Sequence, residues 1–339
     1  MRNRQFTPLG NFSSKQCEKV ARQMDGSSLL ITGGLGLVGL TALGYVDHLR
    51  TNFSAKIDLT LTAKTREALP LTEFFGSEFA FLDGDLGDQN FLNQIPRFDY
   101  IIHAAGYGQP SRFMSDPAST LTLNSLCTIE LRRKSNIGFL FVSSSEVYSG
   151  LEHSQITEEE IGTTNPSHPR AAYIEGKRFG EAASLVKMSS DVPLGAVARL
   201  SLGYGPGTRI SDQRVLSELI VRGLTQGVVA LRDSGERLRT YCYSEDAVEM
   251  LFGALLNGTG QVNNIGGHSV TSIRDLGEMI AVKLNVKFRA PEPTLLEDSS
   301  PLNVSIDVSK ISKQLNKQEF VPMGSGIDKT IEWYRLLLR

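Results

Sequence analysis

The chain has 339 residues, enough for one large or two medium domains, and its 40 % hydrophobic and 21 % charged residues suit an ordinary globular protein. A formal net charge of −2 leaves no electrostatic footprint for a nucleic acid or an anionic membrane surface as partner. Three scattered cysteines, Cys17, Cys127 and Cys242, form neither a disulfide framework nor a metal cluster, so no metal and a cytoplasmic, reducing location are expected.

In chain order, residues 1–12 read as irregular. Ser13 and Gln16 have capping-box spacing, and Cys17, Val20, Ala21 and Met24 then make one apolar helical stripe, so residues 1–25 read as a helical extension. Leu29 to Ile31 read as a short buried strand, and Gly33, Gly36 and Gly39 follow in G-x-x-G-x-x-G spacing. Leu37 and Val38 open a helix-compatible run to Leu49. Glycines in such a loop let the backbone approach a diphosphate, and the new helix points its free N–H groups at the negative charge. Residues 26–46 carry no charge, but glycine, serine and threonine interrupt them; strand, loop and helix account for them better than a membrane span. No signal-peptide pattern opens the chain, and no membrane partner is expected.

Ile57, Leu59 and Leu61 alternate with polar residues as a second strand. At its end stand Lys64 and Arg66, with no acidic residue for a ribose 2′-hydroxyl. The two cations either accommodate a 2′-phosphate or are solvated loop charges, so NAD and NADP both stay open. Phe79 to Leu82 form a third apolar run, with Asp85 and Leu86 beyond it. Tyr100 to His103 form a fourth strand, running into Ala104, Ala105 and Gly106, which are small enough to let the backbone come close to a cofactor. His103 by itself reads as a packing or capping residue. Leu121 to Arg133 read as one helix, and Phe139 to Val142 as a fifth strand ending in Ser143-Ser144-Ser145-Glu146. Strands alternating with helices at this spacing predict an α/β fold with a doubly wound parallel sheet, its ligands beyond the carboxyl ends of the strands. Tyr173 and Lys177 share one helical face; an ammonium beside a phenol lowers the phenol pKa and suits it to acid–base work.

With these residues the chain resembles the extended short-chain dehydrogenase/reductases, in the branch of nucleotide-sugar epimerases, dehydratases and decarboxylases. The resemblance runs from about residue 28 to 335. It is carried by the loop from Thr32 to Gly39, Gly84-Asp85-Leu86, His103-Ala104-Ala105, Ser144 with Tyr173 and Lys177, Arg199 to Pro206, Gly235 to Asp246, and Asn264-Ile265-Gly266. It implies a Rossmann domain over residues 26–198 and about 240–268. A smaller α/β lobe for the nucleotide sugar would take residues 199–239 and 269–339.

The resemblance also implies roles. Asp85 and Leu86 would lie at the adenine of a bound NAD (NADP possible). Tyr173 would take the proton from a sugar C4 hydroxyl, Ser144 would hold the same oxygen, and Lys177 would hold the nicotinamide ribose and lower the tyrosine pKa. The 4,6-dehydratases carry Thr-Asp-Glu where this chain has Ser144-Ser145-Glu146, so the glutamate is kept and the acid is missing. The UDP-glucuronate decarboxylases carry Ser-Thr-Ser-Glu-Val-Tyr, close to Ser143 to Tyr148, and an arginine near the substrate carboxylate that Arg239 matches. Asn124 falls in their Asn-x-x-Gly-Thr motif, whose glycine is Cys127 here. Leu202 replaces an asparagine that commonly touches the nucleotide sugar. Arg112 stands in the segment that replaces their Pro-Pro-x-Tyr, open either to a substrate anion or to solvent. Arg214, near the start of a helix from Val215 to Leu224, is expected at the diphosphate, with Arg237 and Arg239 on one face of a strand. Val228 to Leu231 read as strand, and Ser272 to Leu284 and Gly326 to Leu338 as helices.

The expected function is a nucleotide-sugar enzyme that oxidises C4, most simply decarboxylating a UDP-hexuronate. The alternatives are a 4-epimerase or 4,6-dehydratase, and, from another class, a non-catalytic NAD(P)-binding regulatory or scaffold protein. A homodimer is expected through a four-helix bundle of the helices around 120–134 and 171–188.

Overall fold

A computed structural model describes residues 9–10, 12–76, 78–292 and 303–339; most of residues 1–12 therefore lie outside the described residues. The first half of the chain runs α1 (Ser14–Met24), β1 (Ser27–Thr32), α2 (Leu37–Phe53), β2 (Ile57–Ala63), β3 (Ala80–Asp83), α3 (Gln89–Gln94), β4 (Phe98–His103), α4 (Pro110–Ser115), α5 (Pro117–Asn124), α6 (Leu126–Arg133), β5 (Ser135–Ser144) and α7 (Ala171–Leu185). The second half runs β6 (Ala196–Leu200), β7 (Leu202–Tyr204), α8 (Val215–Gln226), β8 (Val228–Ala230), β9 (Leu238–Tyr243), α9 (Ser244–Asn257), β10 (Val262–Ile265), β11 (Val270–Ser272), α10 (Ile273–Leu284), β12 (Lys287–Arg289), β13 (Asn303–Val304), α11 (Ser309–Leu315) and α12 (Met323–Leu337).

Seven strands pair in parallel in the order β10-β6-β5-β4-β1-β2-β3, the doubly wound sheet expected from the alternation. The strand order reverses between β1 and β4, and that switch point opens a crevice at the carboxyl ends of the strands. A smaller sheet joins β11, β9 and β13 with β7, and β8 pairs with β12. The main core lies on the large sheet, from Leu29, Ile31 and Leu61 to Met250 and Trp333. A second apolar cluster, centred on Ile220, Leu276 and Ile327, holds α8, α10 and α12 together.

The stripe Cys17, Val20, Ala21 and Met24 is buried, and α1 packs on α2 and α9. Its capping box does not form: Ser13 makes no side-chain cap, and its N–H donates to Glu249 Oε1 at 2.8 Å. The single helix expected over 121–133 is two. Ser125, at φ −108° and ψ −85°, separates α5 from α6, and its hydroxyl donates to the Leu121 carbonyl at 2.6 Å. A side chain competing for helical backbone acceptors in this way favours a break. Among the described residues no helix is long and apolar enough to cross a membrane, and none of the acidic, histidine and cysteine side chains cluster as metal ligands would.

Candidate active site

The glycine loop sits where β1 and β4 diverge. Gly33 has φ +66°, and a Cβ there would stand 2.8 Å from the Ala104 carbonyl oxygen, so only glycine allows this turn against that neighbour. The two turns are also tied by hydrogen bonds. His103 Nε2 lies 2.9 Å from the Leu123 carbonyl and Nδ1 lies 2.7 Å from Thr32 Oγ1. A carbonyl only accepts, so Nε2 carries the proton of the neutral ring, Nδ1 accepts from the Thr32 hydroxyl, and Thr32 Oγ1 accepts from Ala105 N–H at 3.1 Å. Complete burial holds the His103 pKa down to about 4, the Leu123 bond opposing, so the ring stays neutral. His103 thus braces the loop from behind.

Two adjoining cavities fill the crevice, of about 720 and 610 Å³. The first is lined by Gly33, Gly36, Leu37, Lys64, Asp85, Leu86, Ala104, Ala105 and Arg112. The second is lined by Val38, Ser144, Ser145, Glu146, Tyr173, Lys177, Arg237 and Arg239, and the two share Gly33, Gly36, Leu37, Ala104 and Arg214. Gly39 lies behind the loop, where a Cβ would meet Gly34 at 2.4 Å. The crevice fits a dinucleotide: its glycine turn opens the N-terminus of the 17-residue α2, and two buried hydroxyls on its walls, Thr62 Oγ1 and Ser201 Oγ, have no protein partner. Lys64, expected near the ribose, pairs with Asp85 at 2.7 Å, and Arg66 pairs with Asp83 at 2.7 Å. Partial burial works against ionisation of Asp85, but the Lys64 ammonium and the Gly87 N–H hold its carboxyl below the usual range.

In the second cavity Ser144 does two things. Its Oγ accepts from Glu146 N–H at 3.2 Å, capping the short 3₁₀ turn Ser145–Tyr148, and the hydroxyl faces the Tyr173 phenol, whose ionised form it favours. Lys177 donates to the Val142 carbonyl at 2.8 Å, with its Nζ 5.7 Å from the centre of the Tyr173 ring. The expected depression of the tyrosine pKa is not found in the protein alone. Burial pushes the Tyr173 phenol up to about 12, against the Ser144 hydroxyl, and burial pushes Lys177 down to about 7, against Glu181. Both groups are desolvated, and in each that cost outweighs the partners the protein supplies.

The structure adds residues that the sequence did not single out. Phe113 of α4 stacks on Tyr173, with ring centres 4.5 Å apart and planes at 15°. Arg170, the N-cap of α7, reaches both Glu146 oxygens at 3.1 Å. Behind the site, Arg199 pairs with Glu181 at 2.8 Å, Glu181 accepts from Ser143 at 2.6 Å, and Arg199 donates to the Tyr148 hydroxyl at 2.8 Å, which in turn donates to Asn264 at 2.7 Å. Arg199 and Asn264 of the motif set therefore serve a buried polar network that holds β5, β6 and α7.

Two of the expected substrate contacts, Asn124 and Arg112, do not line the second cavity, and a third, Arg214, does. Asn124 is fully buried, donates to the Thr120 carbonyl at 2.7 Å and packs against Gly176 of α7, behind the cavity walls. Arg112 is exposed and lines the cavity of the glycine loop. Arg214 sits between the two cavities, clamped on Asp212 at 2.8–3.1 Å and on the Gly203 carbonyl at 2.9 Å. Arg237 lies one residue before β9 and pairs with Asp233 at 2.9 Å. Arg239 lies within β9; burial lowers its pKa, Tyr241 and Glu146 raise it, and Arg237 and Arg170 lower it further.

Residues 29–266 match the NAD dependent epimerase/dehydratase family. The chain belongs to that family. It is therefore an NAD-dependent enzyme of the nucleotide-sugar decarboxylase, epimerase and dehydratase class. A relative, UDP-glucuronic acid decarboxylase 1 of Xenopus tropicalis, is 28 % identical over 94 % of this chain and 74 % of its own length. An epimerase from Methanothermobacter thermautotrophicus shares the fold with a TM-score of 0.80, at 20 % identity over 96 % of this chain and 97 % of that one. A UDP-glucuronic acid 4-epimerase from Bacillus cereus, solved with a fluorinated UDP-glucuronic acid analogue and NAD, has a TM-score of 0.77, at 21 % identity over 91 % of this chain and 99 % of that one.

Proposed function

We propose that this enzyme oxidises C4 of a UDP-hexuronate and decarboxylates it. The observation that carries the reading is one cavity lined by Tyr173, Ser144, Glu146 and Arg239 together: an acid–base phenol, the hydroxyl that faces it, a carboxylate and a guanidinium. NAD, when bound, supplies the hydride acceptor for C4 and a positive charge that favours the Tyr173 phenolate. Gly33 and Gly36 with Leu37 and Val38 would hold its diphosphate, Gly39 letting α2 pack closely on the loop; Asp85 and Leu86 would hold its adenine end, and Lys177 its nicotinamide ribose. Tyr173, steadied by Ser144, takes the C4 hydroxyl proton. Arg239 orients the C6 carboxylate, which is then β to a ketone. The C5–C6 bond breaks, its electron pair is taken up towards the C4 carbonyl, carbon dioxide leaves, and a proton managed by Glu146 and Ser145 replaces it at C5. Arg214 and Arg237 serve the diphosphate, Arg214 by exchanging part of its hold on Asp212. Epimerisation and 4,6-dehydration share the first step, but Ser145 stands where a dehydratase has its acid.

We propose further that the enzyme is cytoplasmic and forms a homodimer. Leu121 of α5, Leu126 of α6, Phe179 of α7 and Val186, the residue just past the end of α7, are large, exposed and apolar, at the helices expected to form the bundle. Tyr173→Phe tests the chemistry against the non-catalytic alternative. Turnover should fall by about 10²- to 10⁴-fold while NAD binding stays within about threefold; unchanged turnover would remove Tyr173 as the base.

A further inference from the structure

Glu146 is held from outside its own turn. Arg170 Nη1 lies 3.1 Å from Oε1 and 3.1 Å from Oε2, with the two side chains 28 % and 31 % exposed. That partial burial distinguishes the pair from a surface ion pair, whose geometry is loosely kept. The Arg170 carbonyl meanwhile accepts from the N–H groups of Tyr173 at 3.0 Å and Ile174 at 3.1 Å, the first turn of α7. One residue thus starts the helix that carries Tyr173 and Lys177 and grips the carboxylate on the facing turn. The Arg170 N–H is fixed in turn by His168 Nδ1 at 3.1 Å. On the Glu146 side the other contacts are weaker: Ser149 Oγ at 3.4 Å and the Ser144 bond to its backbone.

We propose that Arg170 is a positioning residue that fixes the Glu146 carboxylate relative to Tyr173. The inference rests on the reading that Glu146 acts on the sugar. Arg170 acts on the reaction through Glu146, with one guanidinium nitrogen, Nη1, shared between the two carboxylate oxygens. Arg239, whose ionisation responds to both residues, completes the charge arrangement on the same cavity wall.

The test is a double-mutant cycle on the NAD-loaded full chain with UDP-glucuronate, using Arg170→Gln, Glu146→Gln and the double variant, with kcat and KM read separately. Arg170→Gln should lower kcat by about 10²-fold, the loss expected from an ångström of misplacement, with KM within about threefold. The double variant should be no slower than Glu146→Gln by more than about threefold, since residues acting as a unit are not additive. Arg170→Lys should restore part of the loss. Wild-type kcat in Arg170→Gln, or full additivity in the double variant, overturns the proposal. Crystal structures of wild type and Arg170→Gln give a readout that needs no turnover: an unmoved Glu146 carboxylate overturns the proposal, and a displaced one supports it. Failure of the parent reading looks different, because the wild type would then release no carbon dioxide whatever Glu146 does.

Discussion

Lys64 Nζ stands 2.7 Å from Asp85 Oδ2, so the cation at the end of β2 is matched by an acid just beyond β3. Arg66 repeats the arrangement with Asp83. The positive charge that could have welcomed a 2′-phosphate is thereby compensated, which fits an NAD-dependent enzyme. Asp85→Asn removes the acid that Lys64 faces on the cavity wall. The ratio of NADP to NAD affinity should then rise by up to about fivefold, the scale of an exposed charge pair. Fluorescence titration with both nucleotides checks it, and an unchanged ratio would show that Lys64 lies out of reach of a 2′-phosphate.

His103 predicts a pH signature in stability. Its pKa is lowered from 6.5 to about 4 in the folded chain. Between those values the unfolded chain binds the extra proton and the folded chain does not, so stability is lost as pH falls through this window. At 1.36 kcal/mol per pH unit the loss is roughly 3 kcal/mol. His103→Gln keeps a donor and an acceptor without titrating. In urea unfolding, the stability advantage of wild type over His103→Gln should shrink by about this amount from pH 7 to pH 4; a constant difference would show that the ring is not held neutral.

Local patterns made the cofactor half of the site legible. Gly33, Gly36 and Gly39 are spaced by the geometry of one turn, and Tyr173 and Lys177 by one turn of helix, so chain separation encodes their placement. The failures come from contacts that spacing does not encode. Gln16 could not reveal that Glu249, distant in sequence, would take the Ser13 N–H. Arg214 is held by Asp212, a counter-ion that its place near a helix start does not announce. Arg170 meets Glu146 only because the segment between them folds back, and Phe113 meets Tyr173 only through the placement of α4. Tyr173 shows the same limit for energetics: the Tyr–Lys spacing is visible, but the burial that outweighs it is a property of the folded cavity.

Phe179 offers the simplest probe of assembly. It is about half exposed on α7, near Val186, and faces no core. Phe179→Glu should convert a dimer into a monomer in light scattering at micromolar concentration, because a charge buried in an apolar bundle has no partner. A wild-type chain that is already monomeric would count against the four-helix bundle.

Decarboxylation of a hexuronate after oxidation at C4 is the reaction proposed for this enzyme. The most direct measurement is mass spectrometry of UDP-glucuronate incubated with the NAD-loaded wild-type enzyme. Loss of one carbon dioxide is expected, with two further hydrogens lost where the hydride stays on NAD, and neither product should form with Tyr173→Phe. A product of unchanged mass with a new retention time, or one lighter by a water, would contradict it and assign epimerisation or dehydration instead.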